Sequence, residues 1–120
     1  MSNSIEIDER PWGTFEILTE SNGYKVKRIV VKPGHRLSLQ LHGVRSEHWV
    51  VVAGEALATV GEREVRIGVD QAIHIPPKTK HRIANLGPEP VIFIEVQCGG
   101  YLGEDDITRF EDDYNRVEAS

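Results

Sequence analysis

Cysteine occurs once in 120 residues, at Cys98, which excludes an internal disulfide and fits a reducing cytoplasm. No apolar run approaches the roughly eighteen residues that a membrane helix needs. Positive charge is scarce and scattered. Lys and Arg number 14 against 19 Asp and Glu, a formal charge of −5, and no basic cluster offers a nucleic-acid surface. The opening MSNSIEIDER is acidic and polar, so neither a secretory signal nor a transit peptide is expected. Internal repeats, low-complexity segments and a Gly-rich nucleotide loop are also missing. What remains, 39% hydrophobic and 28% charged, describes one soluble globular domain spanning 1–120. An anionic ligand would need local cations or a metal to overcome the global negative field.

Short apolar runs separated by turn signals fill the first hundred residues and predict an all-β antiparallel barrel or sandwich. Expected strands cover 14–18, 24–32, 37–42, 48–53, 55–60, 64–67, 72–75, 81–85 and 90–97. Breaks such as Ser21-Asn22-Gly23, Lys32-Pro33-Gly34 and Leu86-Gly87-Pro88 divide them. From Gly100 the chain turns acidic, with Ile107 and Phe110 at helical spacing. The expectation is a barrel over about 12–98 and a short helical tail over about 100–120, its Glu104-Asp105-Asp106 run capping a helix N-terminus.

Within this pattern lies G-x5-Q-x-H-x4-E-x6-G, from Gly34 through Gln40, His42 and Glu47 to Gly54, followed by Pro76-x4-His81-x3-Asn85. Residues two apart in a strand share a face, so Gln40 and His42 point together with Arg36 and Ser38, and Leu37, Leu39 and Leu41 point away. Three leucines on an outer face predict a covering partner, a homodimer or larger assembly. The turn Gly43-Val44-Arg45-Ser46 then returns Glu47 to the cavity, and His81 completes the set from the opposite wall. Two imidazoles, a carboxylate and an amide oxygen suit Zn²⁺, and Mn²⁺ or Fe²⁺ less exclusively. The plainer account of an isolated histidine, a structural or solvated ring, is kept for His35 and His74.

These blocks resemble the two motifs of the cupin barrel, the double-stranded β-helix or jelly roll, with glutamine replacing the usual first histidine. The likeness is closer to the type II mannose-6-phosphate isomerase domain. It rests on Arg10-Pro11-Trp12-Gly13, on Tyr24 to Arg28, on LSLQLH, RSEHWVVVAGEA and EVQCGGYLGEDDI, and covers about 9–116. It departs at Asp70 and Lys78, where cupins carry glycine, and at Asn115. The loop shape around His81 is therefore expected to differ.

The resemblance implies interconversion of mannose 6-phosphate and fructose 6-phosphate through an enediol(ate), helped by a divalent ion at Gln40, His42, Glu47 and His81. It also implies a nucleotidyltransferase partner, expected here as a separately encoded enzyme. For the proton carrier the residues leave Glu95, Lys78 and Lys27 open. Either Phe93, Glu95 and Gln97 face inward on their strand, or Ile92, Ile94 and Val96 do. Arg45 in its turn and Arg109 in the tail are candidate phosphate ligands. Arg36 falls toward the other end of the barrel. Trp49 is a stacking wall for a sugar ring or a core plug; Trp12 anchors the N-terminal segment, and His48 points away from the ligands.

Overall fold

A computed structural model describes residues 7–114, and every element in it is a strand. In chain order these are β1 Ile7–Arg10, β2 Gly13–Ser21, β3 Tyr24–Val31, β4 Leu39–Leu41, β5 Arg45–Ala53 and β6 Ala56–Val60. They continue with β7 Arg63–Ile67, β8 Ala72–Ile75, β9 His81–Ala84, β10 Val91–Gly99 and β11 Thr108–Glu111. They form two antiparallel sheets, ordered β1-β2-β3-β10-β5-β8 and β11-β4-β9-β6-β7. This is the expected all-β architecture, extended by β1 at one end and β11 at the other.

Strand β10 lies between β3 and β5, and its register sorts the barrel interior into rows. Phe93 pairs with Ile29 and Val51, Glu95 with Lys27 and Trp49, and Gln97 with Lys25 and Glu47. The inward face is thus apolar at one end and charged at the other. Around the apolar rows pack Trp12, Phe15, Val31, Ala58, Ile67, Ile83 and Val91, the barrel's hydrophobic core. Burial of the odd-numbered residues 91–97 settles the facing of β10: Phe93, Glu95 and Gln97 are inside.

Three expectations are corrected. No helix forms in the tail among the described residues; 115–120 lie outside them. Residues 108–111 add β11 to β4, with Thr108 opposite Leu41 and Arg109 opposite Gln40. The physical reason is long-range hydrogen bonding. The Asp106 carboxylate accepts from the Gly43 and Val44 amides at 2.8 and 3.0 Å, and Lys25 Nζ donates to the Leu102 carbonyl at 3.1 Å. These bonds draw residues 100–107 across the barrel mouth as a strap. Glu104 and Asp106 therefore tie strap to barrel, and the acidic run caps nothing helical.

Second, Arg45 is not in a turn but opens β5, so it shares the inward face of Glu47 and Trp49 and is buried. Third, Leu37, Leu39 and Leu41 do not form one outward stripe. The chain is irregular before Leu39, Leu37 packs on the core, and Leu39 and Leu41 are half-buried beside β11.

The two departures from glycine keep the backbone that glycine takes. Asp70 and Lys78 are the non-glycine residues with positive φ among those described, at 72° and 61°. The Lys78 amide donates to the His42 carbonyl at 2.8 Å, so the loop before His81 is pinned to the strand region that carries another candidate ligand. Left-handed backbone costs a residue with a Cβ roughly 1–2 kcal/mol, less for aspartate, offset in part by the entropy of glycine in the unfolded chain. Lys78→Gly is therefore expected to raise stability by about 1 kcal/mol in urea denaturation, and Asp70→Gly by less. A Lys78→Gly protein no more stable than the parent would refute this account of the loop.

Candidate metal centre

Three side chains meet at the polar end of the barrel: His42 just after β4, Glu47 on β5 and His81 at the start of β9. All are buried, and their ligand atoms lie within 4.8 Å of one another. Each imidazole is oriented from behind. His42 Nδ1 donates to the Asp106 carbonyl at 2.7 Å and His81 Nδ1 to the Thr79 carbonyl at 2.9 Å. A carbonyl only accepts, so both Nδ1 atoms carry the proton and both Nε2 lone pairs point inward. His42 Nε2 stands 3.1 Å from Glu47 Oε2 and His81 Nε2 3.7 Å from Glu47 Oε1.

His81 Nε2 is buried with no hydrogen-bond partner. A buried acceptor is rarely left unmet, and here it faces a carboxylate that cannot donate. Ligands of one Zn²⁺, each about 2.0–2.2 Å from the ion, stand roughly 3–3.5 Å from each other. The donor set therefore fits a divalent metal. Gln40 sits directly opposite His81 across β4 and β9, half-buried on the cavity wall, with Oε1 accepting from Ser38 Oγ at 3.2 Å.

Charge is arranged around Glu47. Burial by itself raises its carboxyl, but the neighbouring imidazoles His42 and His81, a hydrogen bond from Glu95 and the Arg45 guanidinium hold it well below the usual carboxylate range. Burial lowers the His81 imidazole against the pull of Glu47 and keeps it neutral, the form that binds metal. Glu95 goes the other way: burial first, then the Glu47 charge, push its carboxyl from 4.5 to about 8. Trp49 Nε1 donates to both carboxylates, at 3.0 Å to Glu47 and 3.1 Å to Glu95, and Gln97 Nε2 donates to Glu95 at 2.7 Å. Two nearby acids thus hold opposite protonation states at neutral pH.

Above them opens a cavity of about 670 Å³, its open mouth included, walled by Gln40, His42, Arg45 and Glu95 and by the cations Arg10, Lys27 and Arg109. Lys27 is buried over the Phe15 ring and donates to Glu104 of the strap at 2.6 Å. Arg45 contacts the ligands themselves, donating to Glu47 and His42.

Other candidates stand elsewhere. Lys78 is exposed on its loop and is not among the residues lining the cavity. Trp49 lies fully buried beneath the carboxylates against Phe93, off the cavity wall. Arg36 pairs with Asp113, and His48 stacks on His74 on the outer face. Arg10, Glu104 and the orienting carbonyl of Asp106 were not legible as site residues, because each arrives from a segment remote in sequence. The signal for Lys25 and Lys27 was present: they alternate with Ile29 and Val31 on one strand face.

The family model described as mannose-6-phosphate isomerase C-terminal matches residues 3–112. Among curated proteins, xanthan biosynthesis protein XanB of Xanthomonas campestris pv. campestris is 50% identical over 108 residues, covering 90% of this chain and 23% of that protein. Alginate biosynthesis protein AlgA of Pseudomonas syringae pv. tomato is 48% identical over 117 residues, covering 98% and 24%. Mannose-1-phosphate guanylyltransferase ManC of Salmonella typhimurium is 48% identical over 108 residues, covering 90% and 22%. The chain thus spans less than a quarter of the length of these relatives. Among solved structures, capsular polysaccharide assembling protein CapF of Staphylococcus aureus has a TM-score of 0.79 at 21% identity, over 92% of this chain and 35% of that one. Oxalate decarboxylase of Lactobacillus farciminis has a TM-score of 0.78 at 22% identity, over 90% and 34%. These two likenesses establish the barrel fold.

The raised Glu95 carboxyl has a thermodynamic consequence in metal-free protein. Folding takes up a proton between about 4.5 and about 8, so the contribution of Glu95 to stability is full below that window and is lost as pH rises through it. Relative to Glu95→Gln, the metal-free parent is expected to lose stability between pH 5 and 8.5 in urea titrations. Parallel curves for the two proteins would contradict the assigned protonation.

Proposed function

The chain belongs to the mannose-6-phosphate isomerase C-terminal family, and from that premise we propose that it is a metal-dependent sugar-phosphate isomerase interconverting mannose 6-phosphate and fructose 6-phosphate. The observation that carries this reading is the convergence of His42, Glu47 and His81, with Glu95 held beside Glu47 through Trp49, under one cation-lined cavity. His42, Glu47 and His81 would hold the ion, with Gln40 beside them as a fourth donor. Bound there, a divalent ion supplies electrophilic stabilisation to a developing oxyanion of the sugar. We assign zinc first, with Mn²⁺ or Fe²⁺ as alternatives.

Aldose–ketose isomerisation moves a proton between C1 and C2. In this reading Glu95 is the carrier. It stands beside the metal-ligand cluster on the cavity wall, and a carboxyl group can both take and give a proton. Trp49 and Gln97 fix its orientation by donating to its two oxygens. Arg10, Lys27, Arg45 and Arg109 offset the phosphate charge that a protein of net charge −5 otherwise repels.

We also propose a homodimer, for which the outer face of the six-stranded sheet offers Val26, Val30, Val50, Ile92, Ile94 and Val96, all only half-buried. The same reading implies a separately encoded nucleotidyltransferase as a working partner. Among the described residues no helix is long and apolar enough to cross a membrane, and the reaction is assigned to the cytoplasm.

The test is fructose 6-phosphate formation from mannose 6-phosphate by zinc-loaded protein, with and without a chelator. Chelator-sensitive turnover is expected, with kcat reduced roughly 10²–10⁴-fold in Glu95→Gln and KM raised in Arg109→Ala. Firm metal binding and a sugar-phosphate thermal shift without turnover would replace this reading by a non-catalytic binding domain.

A further inference from the structure

One cation already sits in the metal-ligand cluster. The Arg45 guanidinium places Nη2 2.9 Å from His42 Nε2 and 2.9 Å from Glu47 Oε2, and Nε 3.0 Å from the same carboxylate oxygen. Guanidinium only donates, and His42 Nδ1 is committed to the Asp106 carbonyl, so Nε2 must be the acceptor. The 3.1 Å approach of His42 Nε2 to Glu47 Oε2 is then two lone pairs turned toward one positive group.

An imidazole nitrogen has a single lone pair in the ring plane. It cannot accept from Arg45 and bind a metal at the same time. Glu47 Oε2 has more than one acceptor direction and can keep Arg45 Nε while coordinating an ion. Exchange of guanidinium for metal thus needs Nη2 alone displaced, from His42 Nε2 and from Glu47 Oε2. The seat of Arg45 is also incomplete, since its buried Nη1 has no partner. Opposite it, His81 Nε2 stands open. Half of the cluster is free to receive an ion and half is held by the protein's own cation.

We propose that Arg45 is a built-in placeholder for the divalent ion: it neutralises Glu47 and occupies the His42 lone pair in the metal-free protein, and it must withdraw when the metal enters. The proposal rests on the metal-centre reading above. Its consequence is that metal affinity is set by competition with an internal group. Withdrawal leaves the guanidinium on the cavity wall that it already lines, where an anionic substrate group is the natural acceptor.

The test is the affinity of metal-free protein for Zn²⁺ alone, by competition with a chromophoric chelator, in the parent and in Arg45→Met, Lys27→Met and His81→Ala. Lys27→Met removes the same charge from the same cavity without touching His42 or Glu47. Arg45→Met is expected to bind Zn²⁺ roughly ten- to a hundredfold more tightly, the ratio that corresponds to a charge-assisted hydrogen bond. Lys27→Met should change affinity much less, and His81→Ala should weaken it strongly. Equal or weaker binding by Arg45→Met, or an equal gain in Lys27→Met, overturns the placeholder while leaving the metal centre standing. Absence of Zn²⁺ binding in both parent and Arg45→Met removes the metal centre and the placeholder with it. The parent alone provides a second reading, independent of whether Arg45→Met folds. In ¹⁵N spectra of arginine- and histidine-labelled protein, saturating Zn²⁺ should shift the Arg45 Nη and His42 Nε2 signals together. Arg45 signals unmoved by bound Zn²⁺ overturn the proposal.

Discussion

A carboxylate that is 1% exposed and still ionised has to be met by positive charge or by donors, and Glu47 sets that demand on everything around it. Trp49 meets one oxygen, Arg45 the other, and His42 and His81 approach from β4 and β9. Its charge also keeps the proton on Glu95, two strand positions away on β10. Without a buried anion at this point, the arginine, the paired imidazoles and the neutral acid would each be an unexplained polar burial. With it they form one electrostatic unit.

The barrel makes that unit affordable by dividing its interior along the strands. Rows through Phe93, Ile29 and Val51 supply apolar packing, and rows through Glu95 and Gln97 carry the polar groups. Rigid backbone on both sides lets the site be precise without contributing to the core itself. The strap over residues 100–107 closes the arrangement. It fixes the His42 tautomer through the Asp106 carbonyl and engages Lys27 through Glu104. Ligand orientation and cavity charge therefore depend on Asp106 and Glu104, both more than sixty residues from His42 in sequence.

The sequence made the triad legible because strand period and motif spacing agree: residues 40 and 42 share a face, and Glu47 and His81 return to it. Arg45 was legible as a residue near the site but not as a member of it. β5 begins at Arg45 itself rather than at residue 48, and so small a boundary difference decides whether a side chain is in a turn or in the interior. The facing of Glu95 could not be read because the even-numbered Ile92, Ile94 and Val96 are the more apolar set, yet they lie half-buried on the outer sheet face while Glu95 and Gln97 line the barrel. The tail misled because Ile107 and Phe110 have helical spacing, while the bonds that hold the chain extended reach back to Gly43 and Val44. Asp70 and Lys78 show the converse. The sequence flagged both as breaks in a glycine pattern, and both remain in the backbone region that glycine favours.

The central claim is that His42, Glu47 and His81 converge on one divalent ion. X-ray absorption at the zinc edge, on protein reconstituted with one equivalent of Zn²⁺, reads that directly. The account predicts a shell of nitrogen and oxygen neighbours at roughly 2.0–2.2 Å, with the outer-shell scattering of two imidazoles, lost in His81→Ala. A sulfur neighbour from Cys98, or a shell without imidazole scattering, would contradict it.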